Sequence, residues 1–279
     1  MKQLITRYLF PLLLLIQHAA YAQQSPVIPG KVAKGGQEVS VPVGDLALHG
    51  VLYKPEKTGK KLPAILLVHG WMPYDTNPGM EYSYPAKEFA DKGFITLSVT
   101  LRGWQPTGGK DDCGYRQPKD VINALKWLAA QPQVDPTRIA LWGQSLGGQI
   151  VLSAAVEPLV KATVAYFPIT DFRLWGVTTN HAELMKSDYI YGMCTKDGTP
   201  EDRSPLYTAD KIPGAVLLMH GDKDKNVVIT HSQLMHQKML EAKRDSTLYI
   251  AKNGNHGSGG PGWENHNEIA INFLKEKLK

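Results

Sequence analysis

The stretch ALWGQSLGGQ, residues 140–149, sets Ser145 between Gly143 and Gly147. An apolar run, 138–142, leads in, and an apolar helical pattern, 146–156, leads out. Glycine-x-serine-x-glycine at a strand-to-helix junction describes a sharp, strained turn that lifts a serine hydroxyl above the sheet edge. Bulky side chains two positions to either side would collide there. The helix that follows aims its N-terminus at the hydroxyl, where a partial positive charge favours an oxyanion. These residues read as a nucleophile prepared for acyl transfer.

A hydroxyl is a weak nucleophile at neutral pH, so it needs a base, and the base needs an orienting acid. Behind such a turn the chain order is serine, acid, histidine. Downstream, LLMHGDKDKNV (217–227) places Asp222 and Asp224 after one apolar run, and AKNGNHGSGG (251–260) places His256 on a glycine-rich loop after the next. His256 is the expected base. Asp171, after the run 162–167, is a further candidate acid. His220 abuts a strand end and reads as structural, whereas His181, His231, His236 and His266 fall in an insertion or on helices and read as solvated. A tetrahedral intermediate needs two backbone N–H donors. Leu146 supplies one, and ILLVHGWMP (65–73) offers Trp71 as the other. Arg102, in LRGW, could meet an acidic substrate group; pairing with Asp111, Asp112 or Asp171 is its structural alternative.

Two other motifs fail. Asp222-x-Asp224-x-Asn226 opens like a calcium loop but lacks the required glycine and terminal glutamate. Gly257-x-Gly259-x-x-Gly262 spells a dinucleotide fingerprint too close to the C-terminus for the strand and acid that must follow it. No cofactor and no metal is implied.

The elements that must position these groups follow from hydrophobic periodicity. Residues 39–52 alternate around Gly44-Asp45 and read as a hairpin. The runs 64–68, 94–99, 138–142, 162–167, 215–219 and 247–250 read as buried strands, and 84–92, 118–128, 146–156, 232–242 and 263–278 as helices. Strands alternating with helices give an α/β fold with a mostly parallel central sheet and helices on both faces. Residues 172–209 are too long and irregular for an ordinary connection and are expected to form a lid-like insertion.

The 279 residues are 43% hydrophobic and 20% charged, within the range of a globular domain. The net charge of +5 is too small and dispersed to point to nucleic acid. Part of it, Lys2 and Arg7, precedes a short apolar stretch, 9–16, and the small-x-small site Ala20-Tyr21-Ala22. Residues 1–22 are therefore expected to be a secretory signal peptide, 23–38 a linker and 39–279 the catalytic domain. No later apolar run is long enough to span a membrane. In an oxidising compartment the pair Cys113 and Cys194 is expected to form a disulfide that ties the insertion to the loop after Arg102.

HGW, GQSLGG, HGDKDKNV and NGNHG, in that order, resemble the α/β-hydrolase family over residues 39–279. Among its branches the chain is most similar to dienelactone hydrolases and to the catalytic domain of prolyl oligopeptidase-like enzymes. The resemblance implies that the G-x-x-D-x-x-V pattern makes Asp224 the acid. Dienelactone hydrolases carry a cysteine nucleophile where this chain has Ser145, so their lactone specificity does not carry over.

The expected activity is that of an exported serine hydrolase cleaving a small carboxylic ester through an acyl-enzyme. A small serine peptidase with the same machinery is the alternative, and a catalytically inactive hydrolase fold used for binding is the third. Aromatic residues in the loops beyond the strands, Trp71, Tyr74, Trp104, Trp175 and Trp263 among them, are expected to line the pocket. Trp104, Trp175 and Arg102 are the candidate substrate contacts. Flat apolar walls suit an aryl or sugar ring better than a long peptide.

Overall fold

A computed structural model describes residues 32–55, 59–180 and 197–279. Eight strands form one sheet: β1 (Gln37–Pro42), β2 (Ala47–Tyr53), β3 (Leu62–Val68), β4 (Ile95–Val99), β5 (Val134–Gln144), β6 (Val160–Tyr166), β7 (Ala215–Gly221) and β8 (Ser246–Ala251). Their order across the sheet is β1-β2-β4-β3-β5-β6-β7-β8. The β1–β2 hairpin turns at Gly44-Asp45 and joins β4 antiparallel; every later pairing is parallel.

Alternation along the central strands sends successive side chains to opposite faces. Ala64, Leu66 and Val68 enter one core with α3 (Gln117–Ala129), α4 (Leu146–Ala154) and α6 (Thr230–Glu241). Ile65 and Leu67 enter the other, with α2 (Ser83–Ala90) and α7 (His266–Lys277). Both faces of the sheet are covered by apolar side chains, so strands without polar alternation are what this layering requires. Because β3 and β5 are central and parallel, their carboxyl ends converge at one sheet edge, and Gly70, Trp71 and Ser145 lie just beyond them.

The structure differs from the expectations in four places. A short helix, α1 (Pro78–Glu81), precedes α2. Asn77 caps it by accepting from the Met80 amide, and Pro78 opens its first turn. Asparagine followed by proline is a helix-start signal too short to show as periodicity. The strand expected over 138–142 extends back to Val134 as β5, with a register jump inside it: Leu62 pairs with Val134, but Ala64 pairs with Ile139. The helix α7 starts at His266, with Trp263 buried in the turn before it. Finally, residues 32–36 are not a free linker. The Ala33 amide donates to Ser83 Oγ at 3.0 Å and its carbonyl accepts from Tyr53 Oη at 2.7 Å.

The expected signal peptide, 1–22, lies outside the described residues. So does the centre of the expected lid, 181–196. Its described ends are α5 (Phe172–Thr178) and two 3-10 turns, Glu201–Arg203 and Pro205–Lys211. Buried Arg203 anchors the second end by donating to the carbonyls of Asp112, Asp197, Gly198 and Thr199. Among the described residues no helix is long and apolar enough to cross a membrane.

Candidate active site

Ser145 sits between β5 and α4 with φ +54° and ψ −117°, a positive φ that strains a residue with a side chain. Its neighbours explain both glycines. A Cβ on Gly143 would lie 2.4 Å from the Gly147 carbonyl oxygen, and one on Gly147 would lie 2.3 Å from that of Val68. Gly70 is also close, though less tightly held: a Cβ there would lie 3.1 Å from the Gln144 carbonyl oxygen and 3.2 Å from Ser145 Cβ. The end of β3 therefore packs directly against the nucleophile turn, which is fixed from the other side by the Ser145 amide donating to the Tyr166 carbonyl at 2.9 Å.

His256 reaches both partners from its glycine-rich loop. Its Nε2 is 3.0 Å from Ser145 Oγ and its Nδ1 is 2.7 Å from Asp224 Oδ2. Phe167 packs on the imidazole face with ring centroids 4.6 Å apart. An ionised carboxylate only accepts, so Nδ1 carries the proton and Nε2 is left to accept the serine hydroxyl. The Asp224 side chain is fully buried. Burial alone would push its carboxyl up. Hydrogen bonds from His220 and His256, the charge of His256 and the Val227 amide outweigh that and hold it well below the usual carboxylate range. The other acids are turned to different tasks. Exposed Asp222 accepts the Asn253 amide. Asp171 caps α5 through the amides of Arg173 and Leu174.

Two amides belong to the segments that meet at the nucleophile turn. Leu146 is the first residue of α4 and Trp71 follows Gly70 beyond β3. Among the described residues neither N–H has a hydrogen-bond acceptor. The Trp71 ring is fixed instead through its indole, which donates to Asp111 Oδ2 at 2.8 Å, and it lies 5.7 Å from the Trp175 ring. Asp111 also takes the Tyr74 hydroxyl, the Cys113 amide and the Gln117 side-chain amide. Cys113 is half of a disulfide. Cys194, the expected partner, lies outside the described residues.

The candidate substrate contacts are not where the sequence suggests. Trp104 has no exposed surface; it packs edge-on against His69 and donates its indole N–H to the Met72 carbonyl. Arg102 is buried between Asp120, at 2.5 Å, and Asp45, at 2.9 Å, and meets none of the three acids expected for it. Trp175 is 5% exposed, with its indole N–H given to the Asn226 carbonyl at 2.8 Å. Trp104 follows β4 and Trp175 lies within α5, and both rings are turned into the core because aromatic area gains most from leaving water; Arg102 is buried with its two carboxylate partners. Trp263 is likewise core. The histidines also need correction. His231 is fully buried, where its Nδ1 accepts the Thr170 amide, and burial pulls it down to about 4. His236 pairs with Ser246 and His266 with Tyr166, while His181 lies outside the described residues.

Comparison with known proteins gives a consistent lineage. The sequence profile of the prolyl oligopeptidase family matches residues 80–279. The chain is 30% identical over 201 residues to the uncharacterized peptidase YtmA of Bacillus subtilis, covering 70% of this chain and 76% of that one. It is 25% identical to dipeptidyl peptidase 8 of Mus musculus over 83% of its own length, but spans only 27% of that relative. Among solved structures, an acylaminoacyl peptidase of Pyrococcus horikoshii superposes with a TM-score of 0.73 at 23% identity, over 88% of this chain and 42% of that one. Its likeness shows the shared α/β-hydrolase fold. Of the two branches the motifs resemble, these matches support the oligopeptidase branch rather than the dienelactone hydrolases, and the chain belongs to the prolyl oligopeptidase family of serine hydrolases.

Proposed function

We propose that this chain is a small serine peptidase working through an acyl-enzyme. The observation that carries the chemistry is the hydrogen-bonded line from Ser145 Oγ through His256 to Asp224, with spans of 3.0 and 2.7 Å. Ser145 Oγ attacks the scissile carbonyl while His256 Nε2 takes its proton. The carbonyl oxygen, now anionic, is held by the amides of Leu146 and Trp71. His256 then delivers the proton to the leaving nitrogen and the acyl-enzyme forms. Water repeats the sequence with the same base and frees the acid. Asp224 keeps the imidazole in the right tautomer and offsets the positive charge it acquires.

Peptides are preferred to esters on grounds of lineage. The triad serves both, but the relatives named above are peptidases, and the aromatic walls that favoured a small ester are largely core. A fluorophosphonate probe followed by a matched panel of short peptide amides and carboxylic esters tests this. Ser145 labelling with peptide turnover supports the proposal; turnover of esters alone returns the esterase reading; no labelling removes the hydrolase.

The chain is further proposed to act outside the cytoplasm, supported by the leader pattern of residues 1–22 and by the disulfide at Cys113. Mass analysis of the mature N-terminus tests this: a start at Gln23 supports export, and retention of Met1–Ala22 opposes it.

A further inference from the structure

Three segments carry the reacting groups, and each must hold its atom in place relative to the others. The oxyanion donor Trp71 follows Gly70, the nucleophile Ser145 follows Gln144, and Ser258 lies two residues beyond the base His256. The neighbours Gly70, Gln144 and Ser258 are joined in one line through two side chains, those of Tyr82 and Gln144. The Gly70 amide donates to Tyr82 Oη at 3.1 Å. Tyr82 Oη donates to Gln144 Oε1 at 3.0 Å. Gln144 Nε2 donates to Ser258 Oγ at 3.2 Å.

The direction of the line is forced. Gly70 N–H can only donate, so it occupies an oxygen lone pair of Tyr82 and leaves that hydroxyl to donate onward. Gln144 must then turn its carbonyl to Tyr82 and its amide nitrogen to Ser258. Burial pushes the Tyr82 hydroxyl up to about 12, so it stays a donor across the physiological range. Tyr82 is itself set by α1 and α2, between which it lies, and its ring meets the edge of Trp142 in the core, at a centroid distance of 5.9 Å.

The tie matters most for the histidine loop. Gly257 has φ +116°, and a Cβ on Gly257, Gly259 or Gly260 would meet nothing within 4 Å. Among the described residues, Ser258 Oγ is the one group of residues 257–259 hydrogen-bonded to another element, through Gln144 at the end of β5. A glycine-rich segment loses more conformational freedom on ordering than other chain, and a misplacement of about 1 Å in a reacting group can cost roughly 100-fold in rate.

We infer that Tyr82, Gln144 and Ser258 form a positioning network that sets the base, the nucleophile and the oxyanion donor in register with one another. This rests on the serine hydrolase reading of the site. None of the three touches the reacting atoms; each acts through a neighbour.

The experiment uses Gln144→Met and Tyr82→Phe, which keep volume and remove hydrogen-bonding groups, together with the double variant. Rates are expressed per site titrated by fluorophosphonate, so that misfolded protein does not count. Each single variant is expected to lower kcat roughly 10-fold, as the loss of about one net hydrogen bond implies, with KM within about twofold and Tm little changed. The double variant is expected to be about as slow as either single, because both cut one line. Gln144→Glu, whose carboxylate accepts from both the Tyr82 and Ser258 hydroxyls, should recover most of the rate. Unchanged kcat per site, additive losses, or a loss confined to KM overturns the network. If wild-type Ser145 takes no label, the hydrolase reading fails and the network with it; a labelled wild type with unaffected variants overturns the network alone.

Discussion

His220 Nε2 lies 2.8 Å from the Val227 carbonyl and 3.4 Å from Asp224 Oδ2. Both neighbours accept, so this nitrogen carries its proton and gives it to the loop that bears the acid. Nδ1 is engaged by Ser232 Oγ at 2.7 Å, which fixes the ring from α6. Asp224 is thus held from two histidines through Oδ2 and from the amides of Asn226 and Val227 through Oδ1.

Replacing Asp224 with Asn should lower kcat by about 10³–10⁴-fold, because His256 loses the partner that fixes its tautomer. The same change should alter stability in acid. The folded carboxyl is held below its unfolded value. Its contribution is therefore complete above an unfolded pKa of about 4 and is lost as pH falls from there through the folded value. Denaturant midpoints measured from pH 7 downward should fall more steeply for wild type than for Asp224→Asn below about pH 4. Parallel curves would show that the carboxylate gains nothing from its surroundings.

Trp175→Ala should reduce kcat more than it raises KM, on the order of 10-fold, since the indole N–H supports the Asn226 carbonyl at 2.8 Å, two residues beyond the acid. The sequence suggests the reverse, a wall residue felt in KM. Steady-state kinetics on a short peptide substrate separate the two. Trp175→Phe, which keeps the ring but loses the donor, should show a smaller loss of kcat.

Arg102→Met should destabilise the fold by about 3–5 kcal/mol, because it strands Asp120, 3% exposed, without its cation. Pairing it with Asp120→Leu should restore a good part of that loss. Urea denaturation measures both. A raised KM with unchanged stability would mean that Arg102 meets substrate after all.

Non-reducing peptide mapping should recover one cross-linked peptide holding Cys113 and Cys194, since Cys113 is disulfide-bonded and the chain has two cysteines. Alkylation of both thiols in the unreduced protein would contradict it.

The layers and the reacting line were legible because glycine and apolar runs mark them without ambiguity. Gly143 and Gly147 leave the turn little choice, and the strand runs 64–68 and 215–219 have no polar face to misread. Asp224 was separable from Asp222 only by family resemblance, since both follow one strand; what separates them in space is that the turn buries one and exposes the other. The burial of Trp104, Trp175 and Arg102 is not legible in the sequence, because a position beyond a strand end says nothing of whether the side chain turns back into the core. The Tyr82–Gln144–Ser258 line joins residues 62 and 114 positions apart, a separation at which no local pattern survives. Its one sequence trace is a polar side chain beside the nucleophile, and that is equally compatible with a solvated glutamine.

The central claim is that Ser145 is activated by His256, and fluorophosphonate labelling followed by peptide mass mapping tests it most directly. Wild type should carry a single adduct on Ser145, formed at a rate that falls by at least about 10³-fold in His256→Ala, with none in Ser145→Ala. An adduct on another residue, or equal labelling rates in wild type and His256→Ala, would contradict it.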